Sequence, residues 1–322
     1  MPVINGLSAV LAWLGRQGTR AIAAVVIIAL VVPPVDAIFR PFVTEAIFVL
    51  LAVAFLRVDV AALQGHIRRP GLVIAATAWT SLAVPALFGL ACLATKLDAR
   101  SPDLLLGLML QAVASPMMAA PAFATLMGFD ATLVLTTLVT STALTPITAP
   151  LFVYAFVGPA LTLSPLALGL KLLAILAGSL LVAFVIRRLA GFATIKRYKD
   201  QIDGLNILLV FIFVAAVMQD VAARFYAAPL AMTGLAVLAF AVSLAVLCLT
   251  ALVFVKAGRE RSFVLGLMAS QRNMGLMLAA TGGAVPDLTW LYFALAQFPI
   301  YLMPLFLTPL ARRIQASSAK QA

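Results

Sequence analysis

Long apolar runs alternate along this 322-residue chain with short clusters of Arg, Lys, Pro and Gly. A helix that crosses a bilayer needs roughly 20 apolar residues. The runs predict ten such helices, near 20–38, 42–57, 70–95, 102–127, 131–156, 164–189, 204–223, 229–255, 261–283 and 288–311. They use nearly the whole chain and leave no room for a separate soluble domain. Arg16 and Arg20 before the first long run, with Ala37 after it, have the outline of a secretory leader. The Pro33-Pro34 step and the membrane segments behind it favour a first transmembrane helix instead.

Composition agrees with this pattern. Apolar residues make up 64% of the chain and charged residues 10%, against about 45–50% and 25% in soluble domains. Lipid must therefore be the solvent for most of the surface. A net charge of +11 would point to nucleic acid in a soluble protein. Here it sorts by topology. With the N-terminus inside, sixteen of the 22 Lys and Arg residues fall on the cytoplasmic side, among them Arg16, Arg57, Arg187, Arg188, Lys196 and Arg197. Only Arg40, Lys96, Arg100 and Arg224 fall on the other side, while Lys171 and Arg272 lie within helices. Positive charge stays inside, so both termini are expected in the cytoplasm of a bacterial inner-membrane protein. Its surroundings are the lipid bilayer, with no nucleic-acid partner. Cys92 and Cys248 lie inside apolar runs and are read as small packing residues.

Ten helices divide into two sets of five, 1–160 and 161–322. An odd number per set inverts one half across the membrane, as in many secondary transporters. The fourth span is interrupted by Ala114-Ser115-Pro116-Met117 and the ninth by Ser270-Gln271-Arg272-Asn273. Asp130 follows Ser115 by fifteen residues, and Asp287 follows Arg272 by fifteen. Each Asp stands before a new helix, where a carboxylate can cap free N–H groups. The helices that follow end in similar phrases, Leu-Thr-Pro-Ile-Thr-Ala-Pro from Leu144 and Leu-Met-Pro-Leu-Phe-Leu-Thr-Pro from Leu302.

A backbone group left unpaired in hydrocarbon costs several kcal/mol, so broken helices survive only inside protein or beside a wet cavity. Pro116 has no N–H and opens the fourth helix. The half-helix ends so created offer N–H dipoles to anions and carbonyls to cations. A break in one helix is a common structural feature. Two breaks at matching positions, one of them carrying a charge, point to a binding site.

At these breaks the chain resembles the bile acid:sodium symporter family. The first match runs from Ala114-Ser115-Pro116-Met117-Met118 through Asp130-Ala131-Thr132-Leu133 to Ser141-Thr142-Ala143-Leu144-Thr145-Pro146; the second is Gln271-Arg272-Asn273-Met274-Gly275-Leu276. The resemblance implies an all-α membrane protein: ten transmembrane helices in two inverted five-helix repeats, with the fourth and ninth broken and crossing. It implies a core bundle of the third to fifth and eighth to tenth helices, a panel of the first, second, sixth and seventh, and a substrate cavity between them. Auxin-efflux-type carriers share the architecture and remain an alternative. The sequence departs from the family where sodium would bind. Pro116 replaces the crossover Asn, Val134 and Leu138 replace two hydroxyl ligands, Thr80 replaces a Gln five residues before a Pro, and Leu267 or Met268 replaces an acidic residue.

The function expected is a secondary transporter for a small organic anion, working by alternating access without sodium. A sodium-coupled symporter of the same family and a non-transporting membrane sensor or receptor are the alternatives. The expected substrate-binding residues are Ser115, Pro116, Gln111, Thr80, Gln271, Arg272 and Asn273, with Arg272 taking over the electrostatic task of a bound sodium ion. No metal site, cofactor or catalytic group is expected, because the helices hold no triad, ligand cluster or phosphate loop. Lys171 is read as reaching the outer interface, with attraction of an anion as its other reading. Glu45 with Arg40, and Gln219, Asp220 and Arg224, are read as interfacial, Asp220 as a cap with a proton-carrying role as its other reading. His66 beside Arg68 and Arg69 is read as solvated in a loop, and Trp13, Trp79 and Trp290 as interfacial or packing residues.

Overall fold

A computed structural model describes residues 2–18, 21, 24, 25, 27, 28, 39–57, 70–158, 163–218 and 220–319. Apart from a few positions, the first expected span, 20–38, lies outside them, as do His66, Arg68, Arg69, Gln219 and Lys320. The described residues are helical, with a single isolated β-bridge. In chain order the helices of six or more residues are α1 (Pro2–Arg16), α2 (Val43–Arg57), α3 (Pro70–Ala94), α4 (Pro102–Val113), α5 (Ala120–Leu126), α6 (Thr132–Val157) and α7 (Pro165–Ala190). They continue with α8 (Phe192–Arg197), α9 (Lys199–Val217), α10 (Val221–Ala227), α11 (Pro229–Val253), α12 (Arg259–Ser270), α13 (Met274–Thr281) and α14 (Asp287–Ala319). Proline opens α3, α4, α7 and α11, where its missing N–H would have no helical acceptor and its fixed φ suits the first turn.

Six of these helices, α3, α6, α7, α9, α11 and α14, are long and apolar enough to cross a membrane. Large apolar side chains stand exposed along them, including Leu170, Leu181 and Phe184 on α7 and Leu230, Val237 and Leu252 on α11. Soluble proteins seldom expose apolar patches beyond a few hundred Å², so this is the architecture of a multi-pass membrane protein.

The chain forms two compact units. One comprises the described residues of 1–58 and 174–233, the other those of 59–173 and 234–322. The second span, most of the sixth and the seventh fall in the first unit, and the third to fifth, most of the eighth, the ninth and the tenth in the second. The boundaries pass inside α7 and α11.

In the first unit, α9 packs against α1 and α2. Sequence reading placed no helix at 2–16, because fifteen residues with Asn5, Gly6 and Ser8 fall short of a span. That segment folds as α1 and lies close on α9: a Cβ added to Gly204 would come 1.9 Å from the Leu11 carbonyl oxygen, and one added to Gly15 would come 2.0 Å from that of Asp200. Small residues let helix backbones approach in this way. Arg57 pairs with Asp203 at 2.9 Å, Arg16 with Asp200 at 3.6 Å, and Arg187 Nη2 donates to the Leu56 carbonyl at 2.7 Å. These contacts gather Arg16, Arg57 and Arg187 in one region of the unit.

In the second unit, α4 contacts α3, α6 and α14. Every residue from Leu105 to Val113 is buried, as is every residue of α13 and all of Ser262–Ser270. Helices interrupted at membrane depth must be enclosed by protein, which receives the backbone groups set free. In α14, 61% of the most apolar stretch is buried, against 28% in α11, which puts α14 inside and α11 at the rim. Two readings need correction. Cys248 is exposed on α11 rather than packed, while Cys92 is buried. The seventh span runs from Lys199 to Val217 and restarts as α10 after Asp220, whose φ of 62° breaks the helix. Asp220 caps α10 through its carbonyl, which accepts the Arg224 N–H at 2.9 Å; its carboxylate makes no cap bond.

Replacing Gly204 by Val forces side-chain atoms into the α1 backbone. The expected cost is about 1–3 kcal/mol, seen as a lower melting temperature of the detergent-purified protein. Gly6→Val, at a site with nothing within 4 Å, should leave it unchanged. Equal melting of both variants would rule out the close crossing.

Candidate functional site

The two interruptions expected from sequence are present, and they bind each other. α4 ends at Val113, and Ala114 turns extended with φ −61° and ψ 143°. α12 ends at Ser270, and Gln271 turns extended with φ −92° and ψ 96°. The extended residues pair as one antiparallel bridge between Pro116 and Arg272. The Met117 N–H donates to the Gln271 carbonyl at 2.7 Å, and the Asn273 N–H donates to the Ser115 carbonyl at 2.8 Å. Pro116 and Arg272 are therefore the pair that exchanges no bonds of its own. Proline fits there because its position requires no N–H.

Arg272 is 3% exposed. Its Nη1 donates to the Ala114 carbonyl at 2.9 Å and to the Thr80 carbonyl at 3.1 Å. Both acceptors are orphans of the helices that own them. Ala114 lies past the last turn of α4. Thr80 lies in a π-turn of α3, Trp79–Ala83, where the Val84 N–H reaches back to the Trp79 carbonyl. The next residue is Pro85, which has no N–H to offer Thr80. The guanidinium thus replaces two missing backbone donors at once and ties α3 to the crossover.

Three buried polar atoms at this junction have no partner: Arg272 Nη2, Ser115 Oγ and Gln271 Oε1. All three belong to residues in or beside the bridge. On α6, the hydroxyls of Thr137, Ser141 and Thr142 are also buried without partners. In the same stretch of that helix, the Thr140 hydroxyl meets that of Thr77 on α3 at 2.7 Å.

The remaining expected site residues are placed as follows. Gln111, one turn before the α4 break, accepts through Oε1 from the Tyr292 hydroxyl. Gln271 Nε2 reaches Ser270 Oγ at 3.2 Å. Asn273 caps α13, its Oδ1 accepting the Leu276 N–H at 3.2 Å. The Thr80 hydroxyl turns back to the Ala76 carbonyl of its own helix, so its contribution to the junction is a carbonyl rather than the side chain expected. Asp130 Oδ1 accepts the Thr132 N–H at 2.9 Å at the start of α6, and Asp287 is the first residue of α14. Lys171 is exposed on α7, and Trp79 packs inside, donating to Thr250 at 2.9 Å.

No protein-family model matches this chain, and no curated protein does. The resemblance set out from sequence rests on the residues alone. At the positions where it would put sodium ligands, Val134, Leu267 and Met268 pack in one buried apolar cluster, and Leu138 is buried as well.

Sequence reading missed three participants. The Thr80 carbonyl is freed by Pro85, a signal visible as a proline five residues downstream. The Ala114 carbonyl follows from the break itself. Tyr292, which engages Gln111 across the unit, left no local signal.

Losing Arg272 leaves the Thr80 and Ala114 carbonyls unpaired, at about 1–3 kcal/mol each. Arg272→Gln should lower the melting temperature markedly. Pro85→Ala restores an N–H that can take back the Thr80 carbonyl, so in a double-mutant cycle the two changes should couple by about 0.5–3 kcal/mol. Strict additivity would mean that Arg272 does not serve that carbonyl.

Proposed function

We propose that this protein is a secondary transporter for a small organic anion, with the anion bound at the crossover of the two broken helices. The observation that carries this reading is the state of Arg272. A cation inside a membrane protein is costly and tends to mark a substrate or ion path. Here one guanidinium nitrogen is engaged by two carbonyls, neither of them an anion, and the other has no partner. Among the described residues, the positive charge is thus held by two carbonyls and no carboxylate. An anion meeting Nη2 beside Ser115 Oγ would neutralise it, and guanidinium donors are well suited to a carboxylate.

Under this reading Arg272 replaces a mobile cation. It occupies carbonyls of the kind that a bound sodium ion would coordinate, and the neighbouring positions that the resemblance assigns to sodium ligands are apolar. Transport therefore runs without a sodium gradient, driven by protons, by exchange or by the substrate gradient alone. The protein lies in the bacterial inner membrane with both termini cytoplasmic, as the distribution of Lys and Arg implies. Membership of the bile acid:sodium symporter family, with its two inverted repeats, is part of the same proposal.

Uptake of small carboxylates and sulfonates into proteoliposomes tests it. The expected result is uptake unchanged by a sodium gradient and lost in Ser115→Ala at normal melting temperature. Strong stimulation by sodium would overturn the assignment of Arg272, and saturable binding with no flux would make the protein a sensor. Ser115 is a cleaner probe than Asn273, whose side chain also caps α13.

A further inference from the structure

The connection from α7 to α9 is unusual for a turn between two membrane helices. Exposed apolar side chains continue along α7 to Leu189. The chain then forms the six-residue helix α8 instead of a plain loop. α8 is pinned by one residue, Ile195, buried in a cluster with Leu56 of α2 and Ala183 of α7. Its other side chains face outward. Phe192 and Tyr198 are exposed, with the Arg187 guanidinium 5.5 Å from the ring centre of Phe192 and that of Arg197 5.9 Å from Tyr198.

Four basic side chains on this connection, Arg188, Lys196, Arg197 and Lys199, are exposed. The acidic groups that follow them in the chain are already engaged: Asp200 with Arg16 and Asp203 with Arg57. Those are the ion pairs found among the described residues, and none of the four basic residues takes part in one. The local surplus of positive charge is therefore real at the level of side-chain pairing. It sits where an apolar helix surface ends, beside two exposed aromatic rings.

We infer that this connection binds the headgroup of an anionic phospholipid, with Lys196 and Arg197 on the phosphate and the aromatic rings at the level of the glycerol backbone. Clusters of four or more basic residues next to a membrane helix attract anionic lipid, and exposed Tyr and Trp rings favour the same depth. The apolar flank of α7 at Phe184 and Leu189 supplies the surface for the acyl chains, which a free phosphate could not use. The inference rests on the membrane architecture and stands whether or not the crossover carries an anion.

Native mass spectrometry of the detergent-purified full chain provides the test, with phosphatidylglycerol, phosphatidylcholine or inorganic phosphate added. The wild type is expected to retain phosphatidylglycerol and to retain much less phosphatidylcholine. Lys196→Gln with Arg197→Gln should weaken phosphatidylglycerol retention about tenfold or more. Arg312→Gln with Arg313→Gln removes the same charge elsewhere and should leave it unchanged. If the first double variant does not purify folded, Arg188→Gln with Lys199→Gln carries the same expectation. Equal retention by the site variants and wild type would overturn the proposal. So would equal retention of phosphatidylcholine, or displacement of the lipid by inorganic phosphate, which would indicate a plain anion site.

Discussion

A carbonyl oxygen that loses its helical partner inside hydrocarbon has no water to turn to, and the core of this protein is arranged around that constraint. Two helices stop midway, and a third is loosened by a π-turn and a proline. The carbonyls and N–H groups set free are matched to one another across the chain. The Ser115 and Gln271 carbonyls accept from the Asn273 and Met117 N–H groups through a two-bond bridge, and the Thr80 and Ala114 carbonyls share one nitrogen of Arg272. Without that nitrogen the breaks would be defects. With it they become a fixed junction of α3, α4 and α12.

The burial of the surrounding helices follows from this. α13 and the stretches 105–113 of α4 and 262–270 of α12, next to the breaks, are enclosed on every side because the broken ends cannot face lipid. α7 and α11 have uninterrupted hydrogen bonding and can stand at the rim with apolar side chains outward. α13 is as apolar as α7 and yet wholly buried, so hydrophobicity alone does not separate the two classes. What separates them is whether the backbone is whole.

Much of this was legible in the chain, for identifiable reasons. Each apolar run from 42 onward coincides with a helix or a broken pair, because a bilayer demands length and hydrophobicity and both are written locally. The helix of the seventh run starts five residues earlier than the run, and that of the last extends eight residues further. The breaks at Ser115 and Arg272 were legible because proline and charge are rare at such depth. Less legible was which group of a residue would act. Thr80 was chosen for its side chain and serves through its backbone, because the hydroxyl has a nearer acceptor at Ala76. Gln111 was chosen as a site residue before its partner was known, since Tyr292 lies 181 positions away. The helix at 2–16 was passed over because its stability comes from glycine contacts with α9 rather than from its own composition.

The bond pattern of Arg272 also has an electrical side. A sodium ion enters and leaves with its cargo, whereas a guanidinium stays with the protein. In the proposed carrier the loaded crossover, with one monovalent anion, is electrically neutral, and the empty one carries a unit charge. A membrane potential of 100 mV acts on one elementary charge with about 2.3 kcal/mol. Voltage would then bear on the return of the empty carrier and leave the loaded step untouched. Current recordings from a supported membrane would show this as a voltage-dependent turnover with voltage-independent exchange.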